Sequence, residues 1–295
     1  MSRYAAARTA AEAVDLLGAD PGARVIAGGT DLVVAARNGK QPLPGSLVAV
    51  HRIAELARQR DAEAELELGA LTTHAWLECS PRVRTRWSAL ADAAAMIGSP
   101  ATRATGTVGG NLMNASPAMD LGSPLLVLGA EVELRSGRGT RTLPVAELLA
   151  GPGRTTAAPD ELLTIVRVPG PPSRSGSAYV RLEHRKAMEI AIVGAAAAVR
   201  LRPDGLVGSA LLALTAVAPT CLRVPHAEAL LIGRRADAET FAEAATVAAA
   251  AVAPITDVRA GAAYRRAMTS VVVTRALALA TARAVRPPTE TGRNP

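Results

Sequence analysis

Two glycine pairs, each flanked by side chains that donate hydrogen bonds, carry the clearest chemistry in this sequence. The first pair lies in residues 27–32, Ala-Gly-Gly-Thr-Asp-Leu, and the second in residues 106–112, Gly-Thr-Val-Gly-Gly-Asn-Leu. Because glycine has no Cβ atom, main-chain N–H groups at such pairs can approach an anion closely. We therefore expect the two runs to form two walls of one diphosphate cradle, with a dinucleotide as the natural ligand.

The spacing of these glycines disfavours the familiar nucleotide-binding domains. Neither run has the pattern Gly-x-Gly-x-x-Gly, and the phosphate-loop pattern that ends in Gly-Lys-Ser/Thr does not occur. A Rossmann domain and a nucleotide hydrolase are therefore both disfavoured. A tight turn is the competing interpretation of each pair taken alone. Two pairs with similar flanks weaken that alternative.

Length and charge narrow the function classes. The chain has 295 residues, enough for roughly two domains, and a net charge of +7 from 33 basic and 26 acidic residues. Aromatic residues make up only 2% and the arginines are spread along the chain, which disfavours nucleic-acid binding. The charge favours a basic surface that faces anionic cofactors or partner subunits.

The two cysteines, Cys79 and Cys221, are too few and too far apart for a zinc site or an iron–sulfur cluster within the chain, and we expect both to be buried. No metal site is predicted. No apolar run reaches the ~20 residues of a membrane helix, and the N-terminus lacks a secretion signal, so a cytoplasmic protein without a membrane span is expected.

The elements that must position the glycine runs follow from hydrophobic periodicity and turn signals. Thr9 and Glu12 form a capping box for a helix that is predicted to extend through Leu17. The other predicted elements are strands 24–27, 46–50 and 65–71, a helix over 81–97, a hairpin of 125–135 with 141–143, a long hairpin of 189–200 with 206–217, and helices over 238–253 and 262–284.

These elements predict an α+β protein with its main boundary in the Pro- and Gly-rich stretch 169–177. The first domain spans 1–170, with subdomains of about 1–58 and 59–170. The second spans 177–285 and is predicted to be an antiparallel sheet backed by helices. The last residues, 286–295, are predicted to be disordered.

Groups for acid–base or nucleophilic catalysis are not evident. The four histidines, His51, His74, His184 and His226, lack partners at triad or ligand spacing and are predicted to be non-catalytic. No Ser or Cys lies in a nucleophile-elbow pattern. A chain that has a binding site but no acid–base or nucleophilic groups performs chemistry through a cofactor.

Five segments, two of which contain the glycine runs, together resemble one known family. They are residues 27–32, 97–112, 116–121, 181–191 and 257–265. In this order and spacing they resemble the FAD-binding subunit of molybdenum hydroxylases, the xanthine dehydrogenase and aerobic carbon monoxide dehydrogenase family. The resemblance covers nearly the whole chain. It implies a two-subdomain FAD-binding fold of the vanillyl-alcohol oxidase type, followed by the family's C-terminal domain.

The resemblance also implies which residues bind FAD, with residues 27–32 and 107–111 on the diphosphate. The implied FAD-binding residues are Ala27, Gly28, Gly29, Thr30, Asp31, Leu32, Ile97, Thr102, Thr107, Gly109, Gly110, Asn111, Asp120, Leu163 and Arg181.

Some of these positions have alternatives. Asp120 matches an acidic residue near the adenosine portion, or else it is a helix N-cap. Ile97 matches a position beside the flavin ring and Leu163 one that lines the site, although either side chain can simply belong to the core. Arg181 replaces a usual lysine close to the isoalloxazine, where a cation stabilises the anionic reduced flavin. Glu189 is expected to form a surface salt bridge.

Membership of this family implies an electron-transfer subunit. A molybdopterin-binding large subunit hydroxylates the substrate, a small subunit with two [2Fe-2S] clusters relays electrons, and the FAD passes them to NAD, a quinone or another acceptor. One alternative is a self-contained flavin-dependent oxidase or dehydrogenase. Another is a binding or scaffold protein that has lost FAD, which the intact glycine runs argue against.

Overall fold

The structure, a computed structural model, describes residues 3–285, and these residues form two compact units. Unit 1 contains residues 3–76, 98–116 and 129–169, and unit 2 contains residues 77–97, 117–128 and 170–285. Two segments of the first 170 residues thus pack within unit 2. The predicted cut near residue 170 stays a prediction about domain organisation, and the predicted disordered tail lies outside the described residues.

Unit 1 contains a parallel sheet with strand order β1-β3-β2, an antiparallel sheet with order β4-β5-β10-β6-β7, and a small antiparallel pair, β8-β9. Its strands are β1 (Arg3–Ala6), β2 (Ala23–Ile26), β3 (Ser46–Ala49), β4 (Gln59–Asp61), β5 (Glu65–Gly69), β6 (Glu131–Ser136), β7 (Gly139–Pro144), β8 (Leu149–Gly151), β9 (Arg154–Thr155) and β10 (Leu162–Pro169).

The helices of unit 1 are short apart from the first. They are α1 (Ala10–Ala19), α2 (Leu32–Arg37), a 3₁₀ helix (Ala54–Ala57), α6 (Pro100–Thr105), α7 (Val108–Asn114) and α9 (Val145–Leu148); α3 (His74–Cys79) carries the chain into unit 2. Thr9 caps α1 by accepting from Glu12 N–H at 3.1 Å, as the capping box predicts. Val14 and Leu17 of α1 pack with Val48 of β3 in one core cluster, which fixes the end of β2 where the first glycine run starts.

Unit 2 is an antiparallel sheet of order β11-β12-β13-β14 covered by helices. Its strands are β11 (Ser175–Leu182), β12 (Val193–Leu201), β13 (Val207–Thr215) and β14 (Leu222–Arg223), and its helices are α4 (Pro81–Arg86), α5 (Ser88–Met96), α8 (Gly122–Val127), α10 (Pro225–Leu231), α11 (Ala238–Ala251) and α12 (Ala262–Val285). The predicted C-terminal hairpin and the two long helices are present.

Helix α12 is long and apolar enough, by length and composition alone, to cross a membrane. In the structure it packs on β11 and β12, and a line of its side chains at helical spacing, among them Val273, Leu277 and Ala284, belongs to the core of unit 2. Burial in the unit therefore explains this line of apolar side chains.

Two predicted elements are wrong in part. The helix predicted over 81–97 is broken into α4 and α5 at Trp87, whose φ of −118° and ψ of 47° end the first helix while its ring is fully buried. The strand predicted over 125–135 begins only at Glu131, because Leu125–Val127 belong to α8 and Gly129, at φ +67°, turns the chain into β6. A short apolar run fits a buried helix and a buried strand equally well, so periodicity did not distinguish α8 from the start of the strand.

Candidate functional site

The first glycine run forms a turn with available main-chain donors. It lies between the end of β2 at Ile26 and the start of α2 at Leu32. Gly29 has a φ of +70°, in the left-handed region that glycine adopts without strain. Within residues 3–285, no main-chain N–H of residues 28–32 donates a hydrogen bond to the protein. The turn therefore offers consecutive N–H groups to an anion.

The first glycine run lies against the segment that leads into the second, and Gly28 permits the contact. A Cβ atom at position 28 would lie 1.9 Å from the carbonyl oxygen of Thr105, the last residue of α6, and 2.7 Å from its carbonyl carbon. Real Cβ atoms essentially never approach other atoms within 3.0 Å, so only glycine fits at this position. The chain is thus built to bring the first run against the segment that leads into the second.

The second glycine run uses its own amides inside the protein. The N–H groups of residues 108–111 donate, in order, to Thr72 O, Ala70 O, Thr107 Oγ1 and Thr107 O, at 2.9, 2.9, 3.0 and 2.9 Å. The expectation that this run supplies a second wall of main-chain donors is therefore wrong. These groups are the first N–H groups of α7, which lack partners within the helix and find them in Thr107 and in residues 70–72.

Glycine is needed in the second run for close packing. A Cβ atom at Gly109 would lie 2.8 Å from both the Cβ atom and the carbonyl oxygen of Ala70. Gly109 therefore lets the first turn of α7 lie directly on the end of β5. The sequence predicted that the amides of this glycine pair bind an anion, whereas in the structure Gly109 allows close packing against Ala70.

The second run contributes side chains to the site instead. Asn111 lies in the first half of α7, and its Oδ1 is buried with no hydrogen-bond partner among the described residues. A buried amide oxygen without a donor is costly, by about 1–3 kcal/mol, so the position is suited to a ligand that carries hydroxyl or N–H groups. Together with the N–H groups of residues 28–32, it fits a ligand with both phosphates and hydroxyls.

His74 is a further polar side chain of unit 1 that sequence reasoning set aside. It is 3% exposed, and its Nδ1 is buried without a partner in the described part of the chain. A Cβ atom at Gly106 would lie 2.9 Å from the ring Cδ2 of His74, so the ring lies beside the start of the second run. Burial, helped by the positive charge of Arg103, lowers the pKa of His74 to about 4 and keeps the ring neutral. His74 N–H donates to Gly106 O at 3.2 Å, next to the Thr73–Thr107 bridge, and these tertiary contacts have no local sequence signal.

Three other predicted positions of unit 1 are a core residue, a helix residue and an exposed residue. Leu163 is 3% exposed and pairs with Leu134 across β10 and β6, which is a core position. Thr102 lies in α6, where its N–H donates to Ser99 Oγ, the helix cap, at 3.2 Å. Asp31 is exposed and makes no cap bond to α2. In unit 2, Ile97 is half-buried and ends α5.

Unit 2 contains a buried ionic cluster built on β11. Arg181 Nη1 donates to Asp120 Oδ2 at 2.8 Å, and Arg181 Nη2 donates to Glu183. Tyr179 Oη donates to the other oxygen of Asp120 at 2.8 Å. Burial raises the pKa of Tyr179 well above its usual value and raises that of Asp120, against the opposing effect of Arg181. We call these four residues the Arg181 cluster.

The Arg181 cluster excludes one of the two roles considered for Asp120. Asp120 does not cap a helix, because Leu121 is the N-cap residue of α8. Asp120 was expected at the adenosine portion of FAD and Arg181 at the isoalloxazine, yet their side chains are in direct contact. In an extended FAD the ribityl, diphosphate and ribose groups separate those two ends. The two residues therefore form one ion pair, and the part of FAD that each contacts stays a prediction.

Two further expectations are settled by burial and contacts. Glu189 Oε2 lies 3.5 Å from Arg185 Nε, which is the salt bridge expected for it. Cys221 is buried as expected, but Cys79 is exposed near the end of α3, so the expectation of burial is wrong for Cys79. A lone cysteine on a short helix carries no periodic signal that would distinguish the two cases.

Two family models match the chain. Residues 1–171 match the FAD binding domain in molybdopterin dehydrogenase, and residues 178–280 match the CO dehydrogenase flavoprotein C-terminal domain. Together they cover almost all of the described residues.

Individual proteins match over nearly the full length. The 6-hydroxypseudooxynicotine dehydrogenase complex subunit alpha of Paenarthrobacter nicotinovorans is 36% identical, over 95% of this chain and 95% of that protein. The putative xanthine dehydrogenase FAD-binding subunit of Escherichia coli K12 is 32% identical, over 94% of this chain and 96% of that protein. A structure of carbon monoxide dehydrogenase from Hydrogenophaga pseudoflava, in a form that lacks the Mo-pyranopterin moiety, superimposes with a TM-score of 0.91 at 34% identity, covering 95% of this chain and 97% of that one.

Proposed function

This chain belongs to the FAD-binding subunits of the molybdenum hydroxylase family, the carbon monoxide and xanthine dehydrogenase type, and from that premise we propose that it carries electrons within a larger complex. Family membership confirms the resemblance that the sequence motifs indicated. It also confirms FAD as the cofactor and the protein as a subunit of an oxidoreductase. The mixed helix and sheet architecture is confirmed as well. The finer detail, a two-subdomain FAD fold of the vanillyl-alcohol oxidase type spanning residues 1–170, is part of the proposal.

The observation that carries the proposal is the row of available N–H groups in residues 28–32, held against Thr105 by the lack of a side chain at Gly28. These donors suit the FAD diphosphate, and the buried Oδ1 of Asn111 suits a hydroxyl or N–H group of the same cofactor. FAD supplies the redox chemistry when it is bound, by accepting and releasing electrons. The protein's task is to bind the cofactor, orient it and set its electrostatic surroundings.

The FAD-binding residues implied by the resemblance stay predictions, and we describe them for each unit separately. In unit 1 they are Ala27, Gly28, Gly29, Thr30, Asp31, Leu32, Thr102, Thr107, Gly109, Gly110, Asn111 and Leu163, with the second run acting through side chains and packing. In unit 2 they are Ile97, Asp120 and Arg181. Because Asp120 and Arg181 are in contact, we assign both to the isoalloxazine end, where Ile97 also belongs by resemblance.

The proposed partners follow the division of labour in the family. A molybdopterin-binding large subunit oxidises the substrate, a [2Fe-2S] small subunit delivers electrons to the FAD of this chain, and NAD, a quinone or another acceptor receives them. One relative is described as a subunit of a dehydrogenase complex, which supports a multi-subunit assembly. We propose that the complex is cytoplasmic.

Purification of the native complex tests this function. The expected result is a yellow preparation in which the chain copurifies with a molybdopterin-containing subunit and an iron–sulfur subunit, and in which substrate reduces the flavin only when both partners are present. A lone chain that oxidises its own substrate would support a self-contained flavin oxidase instead. A colourless chain that cannot be reconstituted with FAD would exclude both.

A further inference from the structure

The guanidinium of Arg181 is shared between two carboxylates. Its side chain is fully buried, with Asp120 on one terminal nitrogen and Glu183 on the other. The side chains of Asp120 and Glu183 are only 10% and 12% exposed, so water screens these charges weakly. With both carboxylates ionised, the cluster carries one net negative charge.

The arrangement leaves one donor of Arg181 without an acceptor. Arg181 Nε is buried and makes no hydrogen bond within residues 3–285. A buried N–H group without an acceptor is unfavourable, and a guanidinium held by its two terminal nitrogens cannot rotate to relieve it. The geometry therefore leaves Arg181 Nε as a fixed donor for an acceptor atom outside the chain.

A cation beside the isoalloxazine is expected to stabilise the reduced flavin, but the guanidinium of Arg181 is already paired with two carboxylates. We propose that Glu183 compensates the charge of Arg181 and thereby lowers the midpoint potential of the bound FAD, while Arg181 Nε donates a hydrogen bond to the cofactor. This inference rests on the proposed function, which places Arg181 at the isoalloxazine end. Glu183 acts through Arg181 and is a positioning and charge-compensating residue.

The sign follows from the charge balance of the reduction. The oxidised cofactor takes up two electrons from the partner's iron–sulfur clusters, or from dithionite in the test, and one proton, and so gains one negative charge. A nearby carboxylate opposes that gain and a nearby guanidinium favours it. Removing the charge of Glu183 therefore stabilises reduced FAD relative to oxidised FAD and raises the midpoint potential.

The test is a potentiometric titration of FAD bound to the full chain at neutral pH, comparing the wild type with Glu183→Gln. We expect reduced FAD to bind on the order of tenfold more tightly relative to oxidised FAD in the variant, a rise of about 30 mV for a two-electron couple. Glu189→Gln is the matched control, because it removes the same charge from a carboxylate paired with Arg185. Glu183→Asp keeps the charge and is expected to stay near the wild-type potential.

The proposal is overturned if Glu183→Gln retains FAD and its potential is unchanged or lower, or if Glu189→Gln shifts the potential equally. Glu183→Ala has the same expected shift and replaces the Gln variant should that variant not fold. Arg181→Gln separates this inference from the proposed site. If Arg181→Gln lowers the midpoint potential while Glu183→Gln leaves it unchanged, Arg181 lies beside the isoalloxazine as proposed, and Glu183 does not compensate its charge. If neither variant changes the potential of bound FAD, Arg181 does not face the isoalloxazine.

Discussion

Gly28 lies so close to Thr105 that a Cβ atom at position 28 would stand 1.9 Å from the Thr105 carbonyl oxygen. This relationship joins the first glycine run to the segment that leads into the second, more than seventy residues later in the sequence. It also orients the turn at residues 28–32, whose N–H groups have no acceptor within the described part of the chain. The position thus links backbone packing to cofactor binding.

The first prediction concerns Gly28→Ala. The added methyl group collides with backbone atoms that cannot rotate away, so the runs must separate, with a loss of about 1–3 kcal/mol in the free energy of unfolding. We expect the dissociation constant for FAD to rise by roughly tenfold or more, equal to at least ~1.4 kcal/mol. Titration of the apo chain with FAD, followed by flavin fluorescence, measures the change.

Gly18→Ala is the control for this prediction. Gly18 lies in α1 with nothing within 4 Å of its added Cβ atom, so the substitution is expected to leave FAD affinity unchanged and to stabilise the helix by ~0.5–1 kcal/mol. Wild-type FAD affinity in Gly28→Ala would show that the contact with Thr105 does not shape the site.

The sequence predicted the local elements well where the signal is local. The cap of α1 at Thr9, the turn between β12 and β13, and the strand that leads into the first glycine run all depend on neighbouring residues. The break at Trp87 was not predictable in this way, because it depends on a ring that finds its place only in the assembled core.

The site was predictable as a set of motifs but not as a mechanism. The pattern around Gly109 is the same whether the amides of residues 108–111 face a ligand or the protein, and only the fold shows that Ala70, Thr72 and Thr107 accept from them. The Arg181 cluster likewise joins positions sixty residues apart. Such pairings depend on tertiary contacts, so neither the motifs nor the resemblance indicated that Asp120 and Arg181 form an ion pair.

The second prediction is acid sensitivity from His74. Its pKa is about 4 in the folded chain and about 6.5 when unfolded, so the unfolded chain binds the extra proton between those values. The contribution of neutral His74 to the free energy of unfolding is fully present above about pH 6.5. It is lost as the pH falls toward 4, and the total loss is up to roughly 3 kcal/mol. Urea unfolding of wild type and His74→Leu across this range measures it.

His74→Leu is expected to lose most of that pH dependence, because the variant has no proton to take up at this position. His226→Gln, at an exposed site on α10, is expected to keep the wild-type slope. An unchanged slope in His74→Leu would mean that the ring is not held neutral by burial.

The third prediction concerns Arg265 of α12, which binds residues in three loops of unit 2. Its guanidinium is 2% exposed and donates to Ile192 O at 2.6 Å, to Ala216 O at 3.3 Å and to Asp257 Oδ1 at 2.8 Å. Arg265→Leu leaves the carboxylate and both carbonyls without this donor, and we expect a loss of about 3–5 kcal/mol in the free energy of unfolding.

Urea denaturation of the full chain, followed by circular dichroism, measures this loss. Arg266→Leu is the neighbouring control: Arg266 is exposed and donates to Val252 O at 3.2 Å, so we expect a change within about 1 kcal/mol. Equal effects of the two substitutions would contradict a special structural role for Arg265.

The fourth prediction separates the two thiols by reactivity. Cys79 is exposed, whereas Cys221 is buried and its pKa is raised to about 12 by burial, so the thiolate required for reaction is scarce at that position. A disulfide reagent added to the native full chain at neutral pH is expected to modify one thiol rapidly and the second only as fast as the structure opens. Cys79→Ser should abolish the rapid phase and Cys221→Ser should leave it intact; a rapid phase that survives Cys79→Ser would show that Cys221 is accessible in the folded chain.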